Sequence, residues 1–177
     1  MQTPGRGFCA RLIQRFLLII STAVFISSCA DETLNSSQTL SINGSVYKLN
    51  STKPFTGTVI TKHKNGVKIK EVNYKNGKEH GLYKFWRTDG SKDFVARFNN
   101  GKETGVHTFW RKNGNKKHES NYKNGALNGS STWFDADGKK MKEFSYQNDK
   151  KHGIATWWNK DGSIWIQKEY KNGKEIK

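Results

Sequence analysis

The sequence predicts an all-β fold, an elongated single-layer antiparallel meander of five 24-residue β-hairpin repeats. Three observations predict it. A glycine recurs at Gly57, Gly81, Gly105, Gly129 and Gly153, always 24 residues apart and without insertion. A second glycine follows nine residues behind each, at Gly66, Gly90, Gly114, Gly138 and Gly162, and the residue before it is always Asn or Asp. An aromatic closes each unit at Tyr74, Phe98, Tyr122, Tyr146 and Tyr170, with Asn-Gly just beyond it in four units and Asn148-Asp149 in the other. Self-similarity at a fixed period of this length marks an array in which each unit is one supersecondary element.

In chain order, the first segment stands apart. Arg6, Arg11 and Arg15 precede the apolar run "FLLIISTAVFI" (16–26), which is too short to span a bilayer comfortably. A basic start, a short apolar run and small residues at its end describe a secretory signal over residues 1–28. It ends in "ISSC", Ile26-Ser27-Ser28-Cys29, which resembles the lipobox of bacterial lipoproteins. That resemblance implies that cleavage leaves Cys29 at the N-terminus carrying acyl chains, and several acyl chains make a stable anchor. Cys9 falls in the removed segment, so the mature domain keeps no thiol for a disulfide or a cysteine-based metal site.

Residues 29–41 are polar and rich in Ser and Thr, and read as a flexible tether. Residues 42–56, with Asn43-Gly44 between β-formers, read as an N-terminal cap hairpin. The repeats follow as 57–80, 81–104, 105–128, 129–152 and 153–177. Within each, the Asn/Asp-Gly dipeptide at 65–66, 89–90, 113–114, 137–138 and 161–162 suits a two-residue type I′ turn between strands rich in β-branched and aromatic residues. The second Asn-Gly reads as a looser turn of about six residues.

The tight turns set a register in which Phe85 faces Phe94, Tyr83 faces Ala96, Phe109 faces His118, Ser131 faces Phe144 and Trp157 faces Ile166. One broad face then carries most of the aromatic residues. The other carries a narrower stripe of Trp86, Trp110, Phe134 and Trp158, with Trp165 expected opposite Trp158 and the cations Lys84, Arg87 and Arg111 among or beside the rings. Cross-strand pairs of this kind contribute about 0.2–1 kcal/mol each. Hydrophobic residues are only 33% of the chain, so bulky rings must supply the contact that a second layer normally would.

The pattern "FTGTV", Asn-Gly, Tyr, Asn-Gly-Lys, Gly, Phe-Trp, Asp-Gly resembles the bacterial variant of the MORN (membrane occupation and recognition nexus) repeat over about residues 54–177. Such domains are commonly labelled YwqK-family antitoxins. The resemblance implies a chain of hairpins acting as a binding or scaffolding module, and supplies no catalytic residues.

The residues point the same way. His63, His80, His107, His118 and His152 are spread along the array. His80 and His152 share a repeat position but are 72 residues apart, and no carboxylate joins His107 and His118 on their face. No nucleophile–base pattern is legible, so neither catalysis, a metal nor a cofactor is expected. Removing Arg6, Arg11 and Arg15 from 31 Lys+Arg leaves 28 against 15 Asp+Glu, a mature chain near +13. An exported protein of this charge does not normally meet nucleic acid. Its expected partners are the membrane through Cys29 and an anionic lipid, a cell-wall polymer or an acidic protein. The expected place is the bacterial envelope, with the outer membrane favoured because Ala30, not an aspartate, follows Cys29. The expected state is a monomer. The alternative, drawn from the family label, is an antitoxin or immunity-like protein that neutralises a toxic partner.

Overall fold

A computed structural model describes residues 31–176. The expected signal sequence (1–28) and the expected lipidation site Cys29 lie outside the described residues. Fifteen strands follow one another: β1 (Thr33–Asn35), β2 (Thr39–Ile42), β3 (Ser45–Lys48), β4 (Gly57–Lys62), β5 (Lys68–Lys75), β6 (Lys78–Trp86), β7 (Lys92–Asn99), β8 (Lys102–Glu103), β9 (Gly105–Trp110), β10 (Lys116–Lys123), β11 (Ala126–Phe134), β12 (Lys140–Gln147), β13 (Lys150–Trp158), β14 (Ile164–Lys171) and β15 (Lys174–Glu175). Thirteen form one sheet in which, from β4 onward, neighbours in the chain are neighbours in the sheet, except that the two-residue β8 pairs only with β7, which pairs on with β9. Strands β2 and β3 make a separate hairpin around Asn43-Gly44. The five expected register pairs are all present.

The two turn classes are the reverse of what the dipeptides suggested. At Asp89-Gly90 only the glycine has positive φ (83°). Gly90 N–H donates to the Arg87 carbonyl at 2.9 Å, Arg87 N–H donates to the Ser91 carbonyl at 2.9 Å, and Trp86 pairs with Lys92. This is a three-residue loop, a turn closed by a glycine bulge, not a type I′ turn. The aspartate is there for its side chain, since Asp89 Oδ1 accepts from Ser91 N–H at 2.9 Å. The second Asn-Gly is the tight one. Asn76 and Gly77 both have positive φ (50° and 76°), and Lys75 pairs directly with Lys78. The register survives the exchange because a bulge beside Trp86 restores the residue that the longer loop displaces.

Each tight turn is also fastened to the chain of the preceding repeat or, for the first, to Phe55 just before the array. The turn amides of Gly77, Gly101, Gly125, Asp149 and Gly173 donate to the carbonyls of Phe55, Glu79, Glu103, Leu127 and Lys151, at 2.7, 2.8, 2.9, 3.0 and 2.8 Å. In the fourth unit Asp149 holds the glycine's conformation (φ 64°), and its carboxylate accepts from Leu127 N–H at 2.7 Å.

The stretch expected to be a tether is ordered chain from Thr33 onward. Strand β1 lies parallel on β4, with Thr33 beside Thr58, Leu34 beside Val59 and Asn35 beside Ile60, the one parallel pair in an otherwise antiparallel sheet. The cause is the first repeat's edge, whose amides would otherwise lack partners; Thr58 N–H donates to the Glu32 carbonyl at 2.8 Å. Leu34, the one apolar residue of β1, packs with Phe55 and Val59 in a small core joined by Val46 and Tyr74. Burial, helped by the nearby Glu79 charge, pushes the Tyr74 hydroxyl up to about 12.

Candidate functional site

One face of the sheet is its packing face. A transverse row of Val59, Val72, Ala96, His107, Ser120, Ser131, Phe144 and Ala155 is buried, none above 8% exposed. Small residues alternate with rings here. A serine or alanine in a single-layer sheet is covered by the large rings beside it, so contact comes from neighbours in the same face. The rings form a continuous ladder: Phe94–Phe109 at 4.3 Å, Phe109–His118 at 5.9 Å, His118–Trp133 at 4.3 Å, Trp133–Phe144 at 5.2 Å and Phe144–Trp157 at 5.0 Å. His107 stacks on Tyr122 at 4.2 Å.

Sequence reasoning missed one polar cluster on this face. His118 Nε2 lies 2.8 Å from both the Ser120 and Ser131 hydroxyls, which lie 2.7 Å from each other. Ser120 and Ser131 face one another across the β10–β11 ladder, so the register already in hand placed them together. Both serines are 1% exposed, so neither hydroxyl can reach a substrate, and the cluster satisfies polar groups inside the packing face. Burial, reinforced by the Lys142 and Lys117 charges, holds His118 below its ordinary value, and burial does the same to His107.

The other face is built from cations and carboxylates. Glu71 sits directly opposite Lys84 and receives Lys84 Nζ at 2.7 Å and Lys68 Nζ at 2.6 Å, which together hold its carboxyl below the usual range. Lys116–Glu119 and Lys140–Glu143, each at 2.8 Å, repeat the motif in later units. Thr108 and Thr132 donate to Glu119 and Glu143 at 3.1 and 2.8 Å. The same lysine row reaches the tryptophan stripe: Lys68 lies 4.5 Å over Trp86, Lys92 6.0 Å over Trp110 and Lys140 5.4 Å over Trp158. Each lysine precedes its ring by 18 residues, so the contact crosses from one repeat to the next.

The sequence-predicted binding residues are therefore distributed as follows. Trp86, Trp110, Phe134 and Trp158 end their strands half-buried on this face, and among the described residues no ring-to-ring contact joins the four. Lys84 is paired with Glu71. Arg87 binds Asp93 and the Trp110 carbonyl of the next repeat. Arg111 donates to the Phe134 and Asp135 carbonyls at 2.8 and 3.1 Å. These two arginines staple successive repeats, and the cations over the rings are lysines the sequence reading left out. Their spacing of 18 within a period of 24 was the signal that could have found them. Trp165 is 69% exposed. The residue facing Trp158 is Ile164, because a bulge falls between the Trp157 and Trp158 pairs; Trp165 and Trp158 line one shallow pocket of about 300 Å³ with Met141, Lys140, Lys142 and Lys160.

The profile of the MORN repeat variant matches residues 55–76, 103–124, 127–148 and 151–172. Each match begins two residues before an opening glycine, and the intervening stretch around β6 and β7 has the same strands and turns. No curated protein matches the chain. Among solved structures, the crystal structure of TarM is similar over 55% of this chain at 18% identity with a TM-score of 0.37, and this chain spans 19% of the TarM chain. With four matched units in an uninterrupted hairpin array, the chain is a MORN-repeat protein.

Proposed function

We propose that this chain is a non-catalytic binding module, held at a bacterial envelope by lipid on Cys29, whose lysine–tryptophan face engages an extended anionic partner. MORN repeats are typically binding or scaffolding modules, which is compatible with this reading. The observation that carries it is the recurrence of a lysine over a ring at Trp86, Trp110 and Trp158. A cation and a flat apolar surface that recur at one interval match a ligand with its own repeat, such as a lipid surface or a polyanionic chain.

The test for the face is co-sedimentation of the full chain with vesicles containing phosphatidylglycerol, comparing wild type with Trp86→Ala/Trp110→Ala. Binding should fall at least fivefold while the melting temperature moves by only a few degrees. Unchanged binding, or loss of fold with no separable binding loss, overturns this reading. For the anchor, Cys29→Ser should release the protein from the membrane fraction and abolish acyl labelling. Persisting labelling overturns the lipid assignment.

A further inference from the structure

The two strands of each hairpin meet different neighbours. The second strand of every unit but the last receives the first strand of the next: β6 on β5, β9 on β7, β11 on β10 and β13 on β12. In each junction the docking strand places an aromatic at one position. Phe85 faces Lys70, Phe109 faces Phe94, Trp133 faces His118 and Trp157 faces Lys142.

On β14 the equivalent position is Ile166, and among the described residues nothing pairs with its outer edge between Ile164 and Lys168. The composition changes at this edge. Where the earlier units carry Lys68, Lys92, Lys116 and Lys140, β14 has Ile164; where three of them carry Glu71, Glu119 and Glu143, it has Gln167. Ile164 is 54% exposed, Trp165 69% and Ile166 36%. Repeat arrays need a polar outer unit for solubility, and open strand edges normally carry lysine. Here the charges at these two positions are missing from a strand whose outer edge is open among the described residues. The backbone is also available. Ile176 N–H takes the outward Glu169 carbonyl at 2.9 Å, and strand alternation turns the Gln167 amide the same way.

We propose that the outer edge of β14 docks an extended segment of a partner protein as an added antiparallel strand, with an aromatic side chain opposite Ile166 and an acidic residue beside it. The aromatic follows from the four internal junctions, of which this edge is a fifth copy without its occupant. The acidic residue follows from Lys142 and Lys160, which outnumber Asp135 in the pocket next to Trp165 even with Lys140 there paired to Glu143, and from Gln167, which removes the carboxylate that would repel it. This deepens the reading of the chain as a binding module and places a protein partner on the strand edge beside Lys140 and Trp158, the last pair of the lysine–tryptophan face.

The test is fluorescence anisotropy of the full chain in detergent with a labelled peptide, Gly-Ile-Ala-Thr-Trp-Trp (the sequence of residues 153–158) with an aspartate at each end. Gln167→Pro deletes one outward N–H and the side-chain bond from Gln167 Nε2 to Thr156 Oγ1 (3.0 Å), and should weaken binding at least tenfold, whereas Gln167→Ala, which loses the same side-chain bond but keeps the N–H, should bind as wild type. Methylation of alternate peptide amides should abolish binding. Equal binding by Gln167→Pro or by the methylated peptide overturns the proposal. So does sedimentation showing a wild-type dimer that Gln167→Pro converts to monomer, because a second copy then owns the edge. Gln167→Pro should keep its vesicle binding, so failure here leaves the reading of the other face standing.

Discussion

The two ends of the array solve the same problem in opposite ways. At the N-terminal end, β1 lies on β4, and Leu34, Phe55 and Val59 close a small core at 5%, 4% and 8% exposure. The β2–β3 hairpin seals that core from the side, with Val46 N–H donating to the Gly77 carbonyl at 2.9 Å and Phe55 N–H to the Val46 carbonyl at 2.8 Å. At the C-terminal end, β15 and Ile176 beyond it cover only Glu169, Tyr170 and Lys171, and the strand before it exposes Ile164, Trp165 and Ile166. A single-layer sheet has no second layer to protect it, so its stability is a chain of neighbour contacts and its ends decide what may join it. One end has spent three segments on closure; the other presents apolar side chains and open backbone.

The largest effect that sharpens this contrast is a pair of aromatic truncations. Phe55→Ala should cost about 3–5 kcal/mol, because a ring leaves a closed core. Trp165→Ala should cost less than about 0.5 kcal/mol, because that ring is already in solvent. Urea unfolding of both variants checks the ratio, and near-equal costs would break the contrast.

A smaller effect tests how closely β1 seats. A Cβ on Gly57 would lie 2.2 Å from the Glu32 carbonyl and 2.8 Å from Phe55 Cζ, at a φ of +144° that disfavours other residues. Gly57→Ala should therefore cost about 2–3 kcal/mol through overpacking and backbone strain. At the corresponding place in the fifth unit, a Cβ on Gly153 meets only the Ser145 side chain, at 3.5 Å from its Cβ and 3.8 Å from its Oγ, so Gly153→Ala should lose the strain component alone. Equal losses would mean that β1 does not sit against Gly57.

The smallest effect belongs to the middle, where neither end reaches. His107 and His118 are held below 6.5, mainly by burial. The unfolded chain therefore binds protons first as pH falls. Their contribution is complete above 6.5 and is lost progressively from there down to their lowered folded values. Thermal melts at pH 7 and pH 5 should show this loss, and His107→Phe, which keeps a ring on Tyr122, should reduce it. A variant with the same pH dependence as wild type would remove His107 as a cause.

Much of the repeat architecture was legible because it rests on residues whose chemistry is decisive. The 24-residue period, the two faces and the register all follow from glycines, Asn/Asp-Gly pairs and alternation. The turn types did not follow, because Asn-Gly and Asp-Gly suit a type I′ turn and a glycine-bulge loop alike. The next residue separates them only in part: Ser91 and Ser163 give Asp89 and Asp161 a backbone and hydroxyl partner and Lys78 and Lys102 follow the tight Asn-Gly turns, but Lys139 follows Gly138 in a glycine-bulge loop. Strand β1 was hidden because its one apolar residue, Leu34, has no periodicity of its own and gains its place only from the edge it covers. The lysine–tryptophan contacts were hidden because they join residues of adjacent repeats across strands. Arg87 and Arg111 looked like ligand-binding cations because a sequence does not show that backbone carbonyls of the next repeat already hold them.

The most direct measurement of the contrast between the ends is amide hydrogen exchange, resolved by residue, on the free protein. Thr58, which donates to the Glu32 carbonyl at 2.8 Å, and Val95, which faces Thr108 of the next unit, should exchange slowly. Gln167, at the position equivalent to Val95 but on the open edge, should exchange faster than either by at least tenfold. A Gln167 amide as protected as Val95 would show that the C-terminal edge is already covered, and would contradict a closed end paired with an open one.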